Sequence, residues 1–124
     1  MNEILTQEKS IYLQISEMIE NDILRDILLE NERVPSTNEL AKFYSINPAT
    51  AAKGINLLVN EEILQKKRGI GMFVAEGAKE KIMEKRKRNF YDDYVRSLLA
   101  EAGSLGITKR GLIEMIESSE TGGR

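Results

Sequence analysis

Neither cysteine nor histidine occurs among the 124 residues. The first absence rules out disulfides and thiolate metal sites and gives no sign of an oxidising compartment. The second removes the usual acid–base residue at neutral pH and the commonest metal ligand. No convergent set of carboxylates takes their place, since neighbours such as Asp92 and Asp93 point in different directions around a helix. An enzyme is therefore not expected, and no catalytic residue, metal or cofactor is assigned. Apolar runs are short, and the opening MNEILTQEKS lacks a basic stretch followed by an apolar one. Export and membrane insertion are not expected, and the expected location is cytoplasmic.

What is present is the composition of a globular protein, 41% hydrophobic and 31% charged. The length suits one core with at most a small appendage. The net charge of -2 hides a gradient: residues 1–32 carry -6, 33–75 carry +3, 76–88 carry +3 and 89–124 carry -2. A basic middle between acidic ends can meet a polyanion despite an acidic average, because binding responds to local potential.

Along the chain, Ser10 is placed to cap a helix whose apolar positions, Ile11, Ile15, Met18, Ile19, Ile23 and Leu24, recur at three- and four-residue spacing. This helix is expected to end between Asp26 and Leu29, with Glu17, Glu20 and Asp22 on its outer face. Asn31 to Pro35 reads as a connection, with Val34 extended because it precedes proline. Ser36 and Glu39 fit a capping box for a short second helix that buries Leu40, Ala41 and one of Phe43 and Tyr44. After a turn over Tyr44 to Ile46, Asn47 and Pro48 supply an N-cap and a first-position proline for a third helix running to Asn60. Its buried side is Ala51, Ala52, Ile55, Leu58 and Val59, and Gly54 within it marks a close backbone approach. Leu64 to Lys67 and Met72 to Val74 are strands around a glycine-containing loop. From Ala78 the helical pattern returns, first charged nearly all round and then with Phe90, Tyr91, Tyr94, Val95, Leu98 and Leu99 on one face. Gly103 to Gly106 interrupts it. Thr108 caps a last helix with Leu112, Ile113, Met115 and Ile116, and the tail SSETGGR is expected to fray.

Two short helices on a tight turn followed by a basic hairpin form the layout of a winged helix-turn-helix. A helix fits the major groove of B-DNA, and its first residues reach base edges when a preceding helix braces it. Those residues are Asn47, Ala49, Thr50 and Lys53. Asn47 suits adenine, Ala49 and the Thr50 methyl suit a thymine methyl, and Lys53 suits guanine or phosphate. Asn47 can serve as cap and base reader together. Ser36, Thr37 and Asn38, at the start of the second helix, offer donors to a phosphate. Lys66, Lys67 and Arg68 are phosphate partners on the wing, and Gly69, Ile70 and Gly71 form its tip, where a basic residue would better suit a narrow minor groove.

The same stretch resembles the winged helix-turn-helix of bacterial GntR-family transcription regulators. IYLQISEMIENDIL resembles that family's first helix, RVPSTNELA its second-helix start, NPATAAKGINLLVNEEIL its recognition helix and KKRGIGMFV its wing. The NPAT start and a tail of about fifty residues are most similar to the YtrA subfamily. That resemblance implies a small helical dimerisation element in place of a large effector domain, and control of a neighbouring transporter operon. The family commonly carries arginine where this chain has Asn38 and a basic residue at the positions of Ala52 and Ile70, so its base contacts do not transfer there.

The expected fold is mainly α, with a winged helix-turn-helix and a short two-stranded β wing over residues 8–76, and a two-helix dimerisation arm over 77–120. The aromatic stripe is too apolar to leave in water, so Phe90, Tyr91, Tyr94, Val95, Leu98, Leu99, Leu112 and Ile116 are assigned to a homodimer interface. The expected function is sequence-specific binding of double-stranded DNA at an inverted repeat, with repression of transcription as the outcome. Two-fold symmetry then sets the recognition helices about 34 Å apart. Two alternatives stand beside this reading: a winged-helix adapter that binds protein, and the same regulator with an unknown small-molecule effector held in the arm.

Overall fold

The computed structural model describes residues 4–5 and 9–120. The order of elements is α1 (Ile11–Leu24), α2 (Thr37–Tyr44), α3 (Pro48–Asn60), β1 (Leu64–Lys67), β2 (Gly71–Val74), α4 (Ala78–Phe90), a π-helical turn (Tyr91–Val95), α5 (Arg96–Ser104) and α6 (Lys109–Ser118). Of the tail SSETGGR, expected to fray, Ser118 instead closes α6 and Ser119 caps it, while Thr121 to Arg124 lie outside the described residues. Among the described residues, no helix is long and apolar enough to cross a membrane.

The apolar spacing of α1 turns Ile15, Met18, Ile19 and Ile23 inward, where they meet Leu40 and Ala41 of α2 and Ala51, Ile55 and Leu58 of α3. Ile63, Leu64 and Val74 close this core from the hairpin, and Ala78 and Ile82 from the start of α4. The chain divides into two compact units between Glu84 and Lys85. Ala78 and Ile82 are fully buried in the first unit's core, so the opening turns of α4 belong to it.

β1 and β2 pair antiparallel, from Leu64 opposite Val74 to Lys67 opposite Gly71. The extended piece before Pro35 runs along the other edge of β2: Val34 N–H donates to Met72 O at 2.9 Å, Asn31 N–H donates to Val74 O at 2.8 Å, and Arg33 bridges to Phe73. This ties the start of α2 to the wing through backbone bonds.

Four local expectations need correction. Ser10 occupies the N-cap of α1, but its side chain makes no capping bond; its carbonyl accepts from Leu13 and Gln14. α1 stops at Leu24, because Asp26 adopts a left-handed conformation with φ of 61° and the chain reverses. Ile27 and Leu28 N–H then both donate to Asp22 O, at 2.8 and 3.1 Å. Glu20 and Asp22 are 3% and 6% exposed and do not form an outer face. Glu17 alone fits that description, paired with Lys9 at 2.9 Å. In the third helix Val59 packs against the core as expected, whereas Ala52 is only half-buried. Of the two aromatic candidates in α2, Tyr44 packs against the core with its hydroxyl 3.2 Å from Met18 Sδ, while Phe43 stands exposed.

Candidate nucleic-acid interface

The start of α2 is held by a complete capping box. Ser36 Oγ accepts the Glu39 N–H at 3.1 Å, and Glu39 Oε1 accepts the Ser36 N–H at 2.8 Å. The Ser36 N–H bond to the carboxylate is the main cause that holds the Glu39 carboxyl below its ordinary pKa, and the Ser36 hydroxyl and the nearby positive charge of Arg33 add to the effect. The cap leaves the Thr37 and Asn38 N–H groups unused, so they are the donors this helix end can offer to an anion. Glu39 opposes such a ligand with its own charge.

α2 ends in a left-handed cap at Ser45, with φ 54° and ψ 48°, and Ile46 N–H reaches back to Ala41 O at 3.0 Å. The turn is tight because this motif closes the helix over six residues. Asn47 then caps α3 through Oδ1, which accepts the Ala49 N–H at 2.7 Å, with Pro48 at the first helical position. The cap occupies one lone pair of that oxygen, so a bidentate pairing with adenine has to share Oδ1, whereas the Asn47 amide donors stay available. Asn47 at the cap is exposed, as are Ala49 and Lys53, four residues apart on one face of the helix, and Thr50 is half-buried. Lys53 Nζ lies 4.1 Å from the centre of the Tyr12 ring on α1.

The wing turns over Arg68 and Gly69, closed by a bond from Ile70 N–H to Lys67 O at 2.9 Å. Gly69 has φ of 76°, a value that β-carbon sterics make costly for other residues. Gly71 also has a positive φ, 141°, and a Cβ there would in addition lie 2.9 Å from Arg33 Nε. Lys67 Nζ rests 4.5 Å above the Phe73 ring.

Between the wing and the start of α2 lies a cleft of about 390 Å³, lined by Ser36, Thr37, Asn38, Lys66, Lys67, Gly69, Ile70 and Gly71 together with Arg33, Val34 and Met72. Two segments about thirty residues apart in sequence thus present cations, hydroxyls and an amide to one space. Arg68 does not line it, nor do Asn47, Ala49, Thr50 and Lys53, which sit on α3. Ile70 projects at 63% exposure, an apolar tip where a cation would suit phosphate better. Arg33 is the residue sequence reading passed over. It belongs to the connection before Pro35, and its basic charge two positions ahead of the proline was the available signal.

The second unit carries a separate feature. Phe90, Tyr94, Val95, Leu98, Leu99, Leu112 and Ile116 line an apolar groove of about 510 Å³ together with Ile113 and Lys109. α6 is brought alongside by the turn at Gly106 and by Thr108, whose Oγ1 accepts the Gly111 N–H at 3.0 Å. Tyr91 is absent from this lining. It opens the π-helical turn, which adds a residue to the helical repeat, and its ring lies under Arg96, itself bonded to Asp92 at 2.7 Å. Ile113 also enters the groove, a residue expected on the apolar side of the last helix but not assigned to the interface. Phe90, Tyr94, Leu98 and Ile116 remain exposed in the single chain.

Comparison with known proteins gives the arrangement its context. Residues 11–74 match the family described as "Bacterial regulatory proteins, gntR family". The HTH-type transcriptional repressor YtrA of Bacillus subtilis (strain 168) is 30% identical over 107 residues, covering 86% of this chain and 82% of the repressor. A structure described as a transcriptional regulator of the GntR family, from Bacteroides thetaiotaomicron, superposes with a TM-score of 0.67 at 38% identity, covering 85% of this chain and 91% of that one. AraR(DBD), solved in complex with operator ORX1, gives a TM-score of 0.52 at 29% identity over 60% of this chain and 92% of its own. YtrA and the Bacteroides protein are described as regulators of transcription, not as enzymes. A capped two-helix turn, a two-stranded wing and a family match spanning α1 to β2 agree: the chain belongs to the gntR family of bacterial regulatory proteins.

Proposed function

We propose that this gntR-family regulator binds double-stranded DNA as a homodimer, reads an inverted-repeat operator and represses transcription by occupying it in the cytoplasm. Residues 8–76, with the opening turns of α4 completing their core, serve as the DNA-binding domain, and the rest of 77–120 as the dimerisation arm. Asn47, Ala49, Thr50 and Lys53 enter the major groove. The cleft flanked by Thr37, Asn38, Arg33 and the wing lysines takes the sugar–phosphate backbone, and Arg68 reaches phosphate from outside it. The observation that carries this reading is the convergence of Arg33, Lys66 and Lys67 with the unused N–H groups of α2 on one cleft. The similar AraR(DBD) was solved on an operator, and the similar YtrA is described as a repressor, which supports the same reading.

Sequencing the duplexes that the purified protein enriches from a genomic or random pool tests it, with a two-fold symmetric site as the expected result. Replacing Lys66, Lys67 and Arg68 together by alanine should lower affinity for such a duplex by about a hundredfold or more near 0.1 M salt and reduce the salt slope by about 2 to 3, as loss of two or three phosphate contacts requires. Unchanged gel-shift titrations would remove the wing from the docking face. The apolar groove also favours a second role, as the seat of a small-molecule effector. A ligand that raises the melting temperature and is lost with changes at Leu99 or Leu112 supports that role.

A further inference from the structure

We propose that Tyr12 is a positioning residue for DNA binding, its ring holding the Lys53 ammonium at the groove-facing side of α3. The inference rests on the docking face proposed above and adds to it a residue of α1, an element otherwise assigned only to the core.

The placement begins at Gly54. A Cβ there would lie 2.7 Å from the Tyr12 carbonyl oxygen and 3.1 Å from Ile15 Cβ. α1 therefore lies directly against α3 one residue beyond Lys53, and the Tyr12 backbone is fixed relative to that lysine. The ring then meets Nζ at 4.1 Å from its centre, well inside the range in which an aromatic face attracts a cation.

What such a seat does differs from what a carboxylate would do. A carboxylate neutralises the ammonium and must be displaced before phosphate can bind. A ring carries no net charge, limits the wandering of a four-carbon side chain and leaves the positive charge available. Five of the seven lysines of the first unit, Lys42 and Lys66 apart, divide along this line. Lys9, Lys79 and Lys81 are paired with Glu17, Asp26 and Glu62 at 2.9, 3.1 and 4.0 Å. Lys53 and Lys67, both on the proposed DNA side, rest over Tyr12 and Phe73.

A double-mutant cycle tests the assignment, using the duplex that the wild-type protein enriches from a random-sequence pool. Tyr12→Phe retains the ring and should bind within about twofold of wild type. Tyr12→Leu should weaken binding by about two- to fivefold, the size of an exposed cation–ring interaction, with its salt slope unchanged. Lys53→Ala should lower the slope by about one. In the Lys53→Ala background, Tyr12→Leu should have no further effect. Equal weakening by Tyr12→Leu with and without Lys53 would show a purely structural ring, and no weakening in either background would show that the ring does nothing for binding. Either result overturns the proposal. Wild-type affinity and slope in Lys53→Ala alone would instead overturn the docking face beneath it. Urea unfolding of each variant checks that the fold persists, and Tyr12→Met, apolar but without a ring face, replaces Tyr12→Leu should the latter not fold.

Discussion

Ser36 and Glu39 exchange two hydrogen bonds at the point where α2 meets the cleft, so one pair of side chains sets both a helix terminus and the local charge. Ser36→Ala is expected to cost about 1 kcal/mol of stability, the usual loss of an N-cap, read from urea unfolding at neutral pH. Glu39→Ala should also destabilise at neutral pH, with a dependence that follows from its lowered carboxyl pKa. A depressed folded value means the contribution is complete above the unfolded value of 4.5 and is lost as pH falls through the folded one. The deficit of Glu39→Ala relative to wild type should therefore shrink below pH 4.5, and a deficit that stays constant into acid would show that the charge plays no part. The capping box and the Asn47 and Pro48 start were legible because their bonds are local and leave a fixed spacing. Arg33 was not, since its place depends on a wing some thirty-five residues later, nor was the chain reversal at Asp26 that brings Ile27 and Leu28 N–H back to Asp22 O.

Among the elements, α1 and α3 carry the tightest constraint, and Gly54 is its source. Alanine normally gains about 1 kcal/mol over glycine inside a helix. Here the added methyl would press on the Tyr12 carbonyl and the Ile15 side chain, and backbone cannot turn aside as a flexible side chain does. Overpacking of this kind costs about 1–3 kcal/mol or more, enough to offset the helical gain. Gly54→Ala should thus destabilise the protein, in contrast to the stabilisation expected at an open helical glycine such as Gly103, where a Cβ meets nothing within 4 Å. Thermal unfolding of both variants side by side checks this, and a stabilised Gly54→Ala would mean the helices move apart readily. Sequence reading found Gly54 as a close approach and placed α2, α3 and both strands within a residue or so of their observed ends, because apolar period and turn chemistry agree there. It missed the π-helical turn, whose extra residue leaves no mark in apolar spacing, and the pairing of the Val34 segment with β2, which needs a distant partner.

For the molecule as a whole, the charge gradient and the apolar groove act on different units. The first unit holds the cationic cleft, and the second holds a groove whose Phe90, Tyr94 and Leu98 side chains are left half in water by a single chain. Apolar surface of that kind is stabilised by a partner, and a two-fold partner would double the DNA-binding units on one assembly. Leu98 is the sharpest probe because it is 45% exposed, so aspartate there meets water in the monomer but is desolvated in an interface on this face. Leu98→Asp should sediment as a monomer with an unchanged circular dichroism spectrum. Its affinity for a two-fold operator should fall by about a hundredfold or more, since the second half-site is no longer bound at the high effective concentration that linkage gives. Affinity for an isolated half-site should stay close to that of the wild-type subunit, which separates loss of pairing from loss of the reading head. An intact dimer in sedimentation would move the interface to another surface and leave the groove to a different occupant.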